Sequence, residues 1–324
     1  ANIPQWYVDR NLYIKTSNIC LETNEIANKD KTFACCLSST NAYYFDEWEN
    51  HPNFIFDMNL MLDCVIEDYI EKGSKLPGLE KAVRFAKEHR SIGLGILAFC
   101  SFLQKKGIIF GEIASYAVNK RIFSKLRSES DRASIWMAKH FGEPEMLKGY
   151  GYRNTTRLAQ APTKSTSYIM GGETLNLSEG VEPHKSNYTS KKLAKIQSEV
   201  KNKELADLLE TKGKNTKEVW SSILTHNGSV QHLDFIDERE KAIFRTFSEI
   251  SQVDVLKLAG QRAKLLDQGQ SINIMIHPDT PASEINKLHM LAFDEGVKGL
   301  YYQYSINAAQ EFNKELLTCS SCEA

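Results

Sequence analysis

The chain has 324 residues, 42% of them hydrophobic and 25% charged, a balance that fits a globular protein of one large domain or two ordinary ones. Forty basic residues stand against forty-one acidic ones without a run of like charge, which argues against a nucleic-acid track. No apolar stretch reaches the ~20 residues that span a bilayer and no basic segment with a hydrophobic signal core opens the chain, so a cytoplasmic protein binding neither membrane nor nucleic acid is expected.

In chain order, the first informative stretch is Ser17-Asn18-Ile19-Cys20-Leu21-Glu22. In an extended backbone, alternate residues share a face, so Asn18, Cys20 and Glu22 could converge on one substrate. The plain alternative is a strand with chance polar positions. Phe33-Ala34-Cys35-Cys36-Leu37-Ser38-Ser39-Thr40-Asn41 follows, and only one of its two adjacent cysteines can easily face a site. Phe54, Met58, Met61, Leu62, Val65, Ile66 and Tyr69 recur at helical spacing until Gly73, with the methionines as core filler. Further helices are predicted over 79–89, 95–106, 112–141, 191–210 and 240–267. Gly93-Leu94-Gly95 lacks the third glycine of a dinucleotide fingerprint.

Ala161-Pro162-Thr163-Lys164-Ser165-Thr166-Ser167 is a hydroxyl-rich turn of a kind that usually faces solvent, but which can also cradle phosphate oxygens where it leads into a helix. Ile272, Ile274 and Ile276 alternate as a strand. Thr280-Pro281 supplies a cap and a first-turn proline, Ile285, Leu288 and Leu291 give a helical face, and Gly299 to Ser305 reads as a second strand. Such a β-α-β unit has parallel strands and belongs to an α/β barrel or an open sheet, which periodicity leaves undecided. Tyr301 and Tyr302 end the unit, and as strand neighbours they need a twist or a strand end to act together.

From Asn307 the pattern weakens into a small, polar segment around Cys319-Ser320-Ser321-Cys322, read as a mobile tail. That pair has no second pair or nearby histidine to complete a zinc site, so thiol exchange is favoured and no metal site is expected. The seven cysteines are an odd, dispersed set, unlike a secreted disulfide framework. Cys64 and Cys100 fall within apolar helical patterns and are expected in the core.

Taken together and in this order, these motifs resemble the large subunit of class I ribonucleotide reductase over nearly all of the chain, without a counterpart to that family's N-terminal half. The resemblance implies a ten-stranded α/β barrel with a catalytic finger loop, of which residues 1–306 supply the C-terminal part and residues 307–324 a flexible redox tail. A split large subunit, similar to that of some phage enzymes, is the implied arrangement. Cys20 would become the thiyl radical, Glu22 would take the 3′-hydroxyl proton and Asn18 would orient the sugar. Ser17 and the loop Pro162, Thr163, Lys164, Ser165 and Thr166 would bind the ribonucleoside diphosphate. Cys35 would be a reducing cysteine, with Cys36 as the competing assignment, and its redox partner would lie in the absent half. Tyr301 and Tyr302 would relay the radical, and Cys319 and Cys322 would carry electrons from thioredoxin or glutaredoxin. The implied partners are therefore the N-terminal half, a radical-generating di-metal small subunit and a thioredoxin or glutaredoxin, with no cofactor on this chain. The rival expectation is a non-catalytic remnant or scaffold that binds reductase subunits.

Overall fold

The computed structural model describes residues 3–172, 175–193 and 196–305. A short helix α1 (Gln5–Asp9) leads to an antiparallel pair, β1 (Thr16–Ser17) and β2 (Asn24–Glu25), with a loop held between them. Then come β3 (Leu37–Asn41), α2 (Phe45–Trp48), α3 (Phe54–Gly73) and α4 (Glu80–His89). β4 (Gly93–Leu97), α5 (Phe99–Lys105), α6 (Ile113–Phe141) and α7 (Lys164–Gly171) follow. A hairpin of β5 (Tyr188–Leu193) and β6 (Ile196–Lys201) opens an excursion through α8 (Lys203–Thr211), α9 (Lys217–Thr225) and α10 (Glu238–Ile243). The described chain closes with α11 (Gln252–Ala263), β7 (Ile274–Ile276), α12 (Ala282–Asp294) and β8 (Gln303–Ser305).

β3 pairs parallel with β4, Leu37 opposite Gly93, and β7 pairs parallel with β8, Ile274 opposite Gln303. Isolated parallel bridges Leu94–Leu158 and Gln160–Gln270 link β4, through the segment 158–160, to the residues that lead into β7. The result is one parallel α/β layer, whose strands are joined by helical crossovers as parallel pairing demands. Every residue of β4 is buried, as expected of a central strand covered on both faces. Its glycines have a steric reason: a Cβ on Gly93 would lie 2.5 Å from Leu37 Cδ2, and one on Gly95 would lie 2.5 Å from the Ala159 carbonyl oxygen. The main core joins Leu62 and Ile66 of α3, Phe123 and Leu126 of α6, Leu256 of α11, and the strand residues Ile96 and Ile274. The excursion has its own core around Leu205, Trp220, Ile223 and Phe244.

The helices expected near 54–73, 79–89 and 112–141 are present, as is the parallel β-α-β unit. Pro281 occupies the N-cap of α12 itself, one residue earlier than expected. The helix expected over 95–106 is instead the end of β4 followed by α5, because Ala98 adopts φ 64° and breaks the run. A short apolar stretch does not by itself separate a buried strand from a helix. The N-terminal half of the expected helix 191–210 is the β5–β6 hairpin, registered from Tyr188 opposite Lys201. Tyr188 and Val200 are buried there, so tertiary packing overrides local helical character. The expected helix 240–267 is broken, since Thr246 and Glu249 form a capping box that starts a new turn and α11 begins only after Ser251. Cys100 is buried as expected, but Cys64 is exposed. On α3 the inward face is Leu62, Asp63, Ile66 and Ile70, which turns Cys64, Met61 and Val65 outward.

Candidate active site

Residues 18–23 form the loop between β1 and β2, and they are a turn rather than the extended stretch that alternation suggested. The Asn18 N–H donates to the Thr23 carbonyl at 3.1 Å, the Leu21 N–H donates back to the Asn18 carbonyl at 3.1 Å, and Leu21 takes φ 66°. The turn still gathers the three side chains. Asn18 Nδ2 donates to Glu22 Oε1 at 2.8 Å, and Asn18 Oδ1 accepts from the Thr23 N–H at 2.9 Å. Glu22 is buried, whereas Cys20 is half-buried and carries a free thiol.

The loop rests on residues 268–273. Ser271 Oγ lies 2.6 Å from the Cys20 carbonyl oxygen and 3.0 Å from Glu22 Oε2, and the Gly269 N–H donates to the Glu22 carbonyl at 2.7 Å. Gln268 Oε1 accepts from the Asn24 N–H at 3.2 Å. Both Glu22 oxygens therefore have a donor nearby, and each keeps a lone-pair direction for a hydroxyl proton. Below the loop, Glu25 is fully buried and accepts from Tyr7, Ser91 and Thr156. Burial pushes its carboxyl above the ordinary value, against the pull of Ser91, Tyr7 and Thr156. Ser271, Gln268 and Glu25 carry no motif in sequence. For Ser271 a faint signal exists, since the residue before the first of the alternating isoleucines faces the other side of an extended chain.

Cys20 Sγ donates to the Tyr301 hydroxyl at 3.5 Å. The Tyr301 and Tyr302 ring centroids are 4.0 Å apart, and Tyr302 is half exposed. Both residues precede β8, so they escape the alternation of a regular strand. Their backbone is nevertheless paired, with Tyr301 N–H to the Ile272 carbonyl at 2.8 Å and Ile274 N–H to the Tyr302 carbonyl at 3.0 Å. Hydrogen bonding with Cys20, and then with Tyr302, pushes the Tyr301 phenol above its ordinary value.

Cys35 is exposed, and partial desolvation, aided by the charges of Glu22 and Glu25 and opposed by a hydrogen bond with Thr23, pushes its thiol above the ordinary value. Cys36 turns the other way, its Sγ 3.7 Å from the Leu62 carbonyl oxygen, and burial pushes it up to about 11. A cavity of about 360 Å³ between this segment and α3 is lined by Cys35, Cys36, Met61, Val65 and Tyr69.

In the hydroxyl-rich turn, Thr163 is buried and already engaged: its Oγ1 accepts from the Gly180 N–H at 2.7 Å and lies 3.0 Å from Ser167 Oγ. Pro162, Lys164, Ser165 and Thr166 are exposed, the last three in the first turn of α7, where free N–H groups favour anions. Thr166 lines a cavity of about 570 Å³ with Ser38, Asn41, Trp48 and Met170. Among the described residues no group of histidine, cysteine and carboxylate side chains is arranged to hold a metal ion. Cys319 and Cys322 lie outside the described residues.

A parallel α/β layer that presents a half-buried thiol on a turn, in contact with a close pair of tilted phenol rings, defines an α/β-barrel domain with a cysteine finger loop. The family model for the ribonucleotide reductase barrel domain matches residues 2–146 and 143–303, and the chain belongs to that family. It is 36% identical to the ribonucleoside-diphosphate reductase large subunit of Invertebrate iridescent virus 3, over 93% of this chain and 47% of that protein. Identity to the large subunit of Invertebrate iridescent virus 6 is 40%, over 87% of this chain and 29% of that protein. The solved class Id ribonucleotide reductase alpha subunit of Actinobacillus ureae superposes with a TM-score of 0.89 at 46% identity, covering 95% of this chain and 56% of that one. The chain thus spans only part of the proteins it matches.

Proposed function

We propose that this chain is the C-terminal part of a ribonucleoside-diphosphate reductase large subunit, an oxidoreductase that makes 2′-deoxyribonucleoside diphosphates together with the N-terminal part and a radical-generating small subunit. The observation that supports it most is the contact of Cys20 with Tyr301, continued by the tilted ring of half-exposed Tyr302 with its centroid 4.0 Å away. An electron and a proton leave Cys20 toward Tyr301, and the resulting thiyl takes a hydrogen atom from the ribose. Glu22, within hydrogen-bond reach, accepts the 3′-hydroxyl proton, and Asn18 orients the sugar. The 2′-hydroxyl leaves as water, Cys35 with a second cysteine from the other part supplies two electrons and two protons and ends as a disulfide, and Cys20 then returns its hydrogen atom to the ribose as Glu22 returns the 3′-hydroxyl proton, which restores the thiyl radical. Cys319 and Cys322 return that disulfide to thiols with electrons from thioredoxin or glutaredoxin. Lys164, Ser165 and Thr166 hold the diphosphate at the start of α7.

The test is co-expression with the N-terminal part, followed by size-exclusion chromatography and a nucleoside diphosphate reduction assay with small subunit and dithiol. Turnover is expected from the complex and from neither part alone, and Cys20→Ser is expected to abolish it while leaving the complex intact. Substantial activity in the serine variant would remove Cys20 from the chemistry.

A further inference from the structure

The turn Gly180-Val181-Glu182-Pro183 lies far in sequence from both the cysteine loop and the tyrosine pair, yet it reaches the latter through a short chain of hydrogen bonds. Glu182 Oε1 accepts from both donors of Asn273, its backbone N–H at 3.3 Å and its side-chain Nδ2. Asn273 Oδ1 in turn accepts from the Tyr302 backbone N–H at 3.0 Å. The residues on either side of Asn273 complete the grip, since the Ile272 carbonyl takes the Tyr301 N–H and the Ile274 N–H gives to the Tyr302 carbonyl. An asparagine amide can rotate and exchange its oxygen for its nitrogen. A carboxylate oxygen facing the Asn273 Nδ2 forbids that flip and keeps Oδ1 toward Tyr302.

Glu182 is itself firmly held. Val181 is part of the main core, the Gly180 carbonyl accepts from the Phe99 N–H at 3.1 Å, and the Gly180 N–H donates to Thr163 Oγ1. Glu182 is 5% exposed, and its second oxygen, Oε2, is buried without a hydrogen-bond partner among the described residues. A buried carboxylate with one oxygen unpaired is costly to retain. Its one fully used oxygen holds Asn273, whose Oδ1 accepts from the Tyr302 backbone.

We propose that Glu182 is a positioning residue for the Tyr301–Tyr302 pair, fixing the Asn273 amide so that the Tyr302 backbone, and with it the ring contact leading to Cys20, keeps its place. The proposal rests on the reading of the pair as the path to Cys20. In the assembled enzyme, Glu182→Ala is expected to lower kcat about tenfold or more with KM for the nucleotide unchanged, since small displacements of reacting groups cost one to two orders of magnitude. Glu182→Gln, which keeps an acceptor toward Asn273, is expected to recover most of that loss. Asn273→Ala is expected to reproduce the alanine phenotype and stands in for it should Glu182→Ala fail to fold. The proposal is overturned if either alanine variant turns over at the native rate, if Glu182→Gln is as impaired as Glu182→Ala, or if KM rises in step with the loss. Tyr301→Phe and Tyr302→Phe are measured alongside: full activity in these would overturn the underlying reading, whereas their inactivity with a normal Glu182→Ala overturns the positioning role alone.

Discussion

At the scale of single residues, the hydroxyl-rich turn separates two roles that look alike in sequence. Thr163 is buried and satisfies the Gly180 N–H, while its neighbour Lys164 is exposed at the start of α7. Losing a buried acceptor leaves the Gly180 donor unpaired, so Thr163→Ala is expected to destabilise the protein by about 1–3 kcal/mol. Denaturant unfolding measures this directly. Lys164→Ala should leave stability unchanged and raise KM for the diphosphate instead, because a charge-assisted contact is lost only when substrate is bound. An unaltered KM would take Lys164 out of the substrate site. The adjacent cysteines divide in a similar way: Cys35 is exposed, whereas the half-buried Cys36 has its Sγ against the Leu62 carbonyl of α3.

Among the elements, the cysteine loop depends on the segment that follows α11. Gly269 has no room for a side chain, since its Cβ would lie 2.4 Å from both the Leu21 carbonyl oxygen and Asn24 Nδ2. Gly269→Ala is therefore expected to push the loop off its support and lower turnover by at least about tenfold, the scale that misplaced catalytic groups produce. The helical core of α3 and α6 does not touch this glycine, so circular dichroism should stay native while activity falls. Native activity in the alanine variant would mean that the loop tolerates displacement.

For the molecule as a whole, Asp267 is the point where separate elements meet. It accepts from the Arg157 N–H at 2.7 Å and from the Leu158 N–H at 3.3 Å, and it pairs with the guanidinium groups of Arg157 and of Arg127 on α6. Burial alone would raise its carboxyl, but the charges of Arg157 and Arg127 outweigh it and hold it below the ordinary range. A depressed carboxyl contributes stability that is present above the unfolded value of ~3.9 and is lost as pH falls through the folded value. Asp267→Asn should thus cost about 3–5 kcal/mol near neutral pH, as for a broken buried pair. That difference should shrink as pH falls below about 4, where the unfolded carboxyl takes up its proton while the native one still resists it, and vanish only below the depressed folded value. Unfolding midpoints at pH 7 and pH 3 check it; a constant difference would show that charge is not what Asp267 contributes.

The sequence by itself determined the long amphipathic helices α3, α4 and α6 and the closing β-α-β unit, because each buries one continuous face whose period of 3.6 or 2 survives in the residue order. The candidate residues Asn18, Cys20, Glu22, Tyr301 and Tyr302 were legible too, as chemical types in a recognisable order. Only the tertiary structure decided how they meet. The loop is a turn, and its closeness to Tyr301 arises from a contact spanning 281 positions. Ser271, Gly269, Glu25 and the Glu182–Asn273 link were invisible for the same reason, since a hydrogen bond between distant segments leaves no periodic trace. Cys64 shows the converse: its neighbourhood is apolar in sequence, yet about 100° per residue along the helix is enough to turn it to solvent.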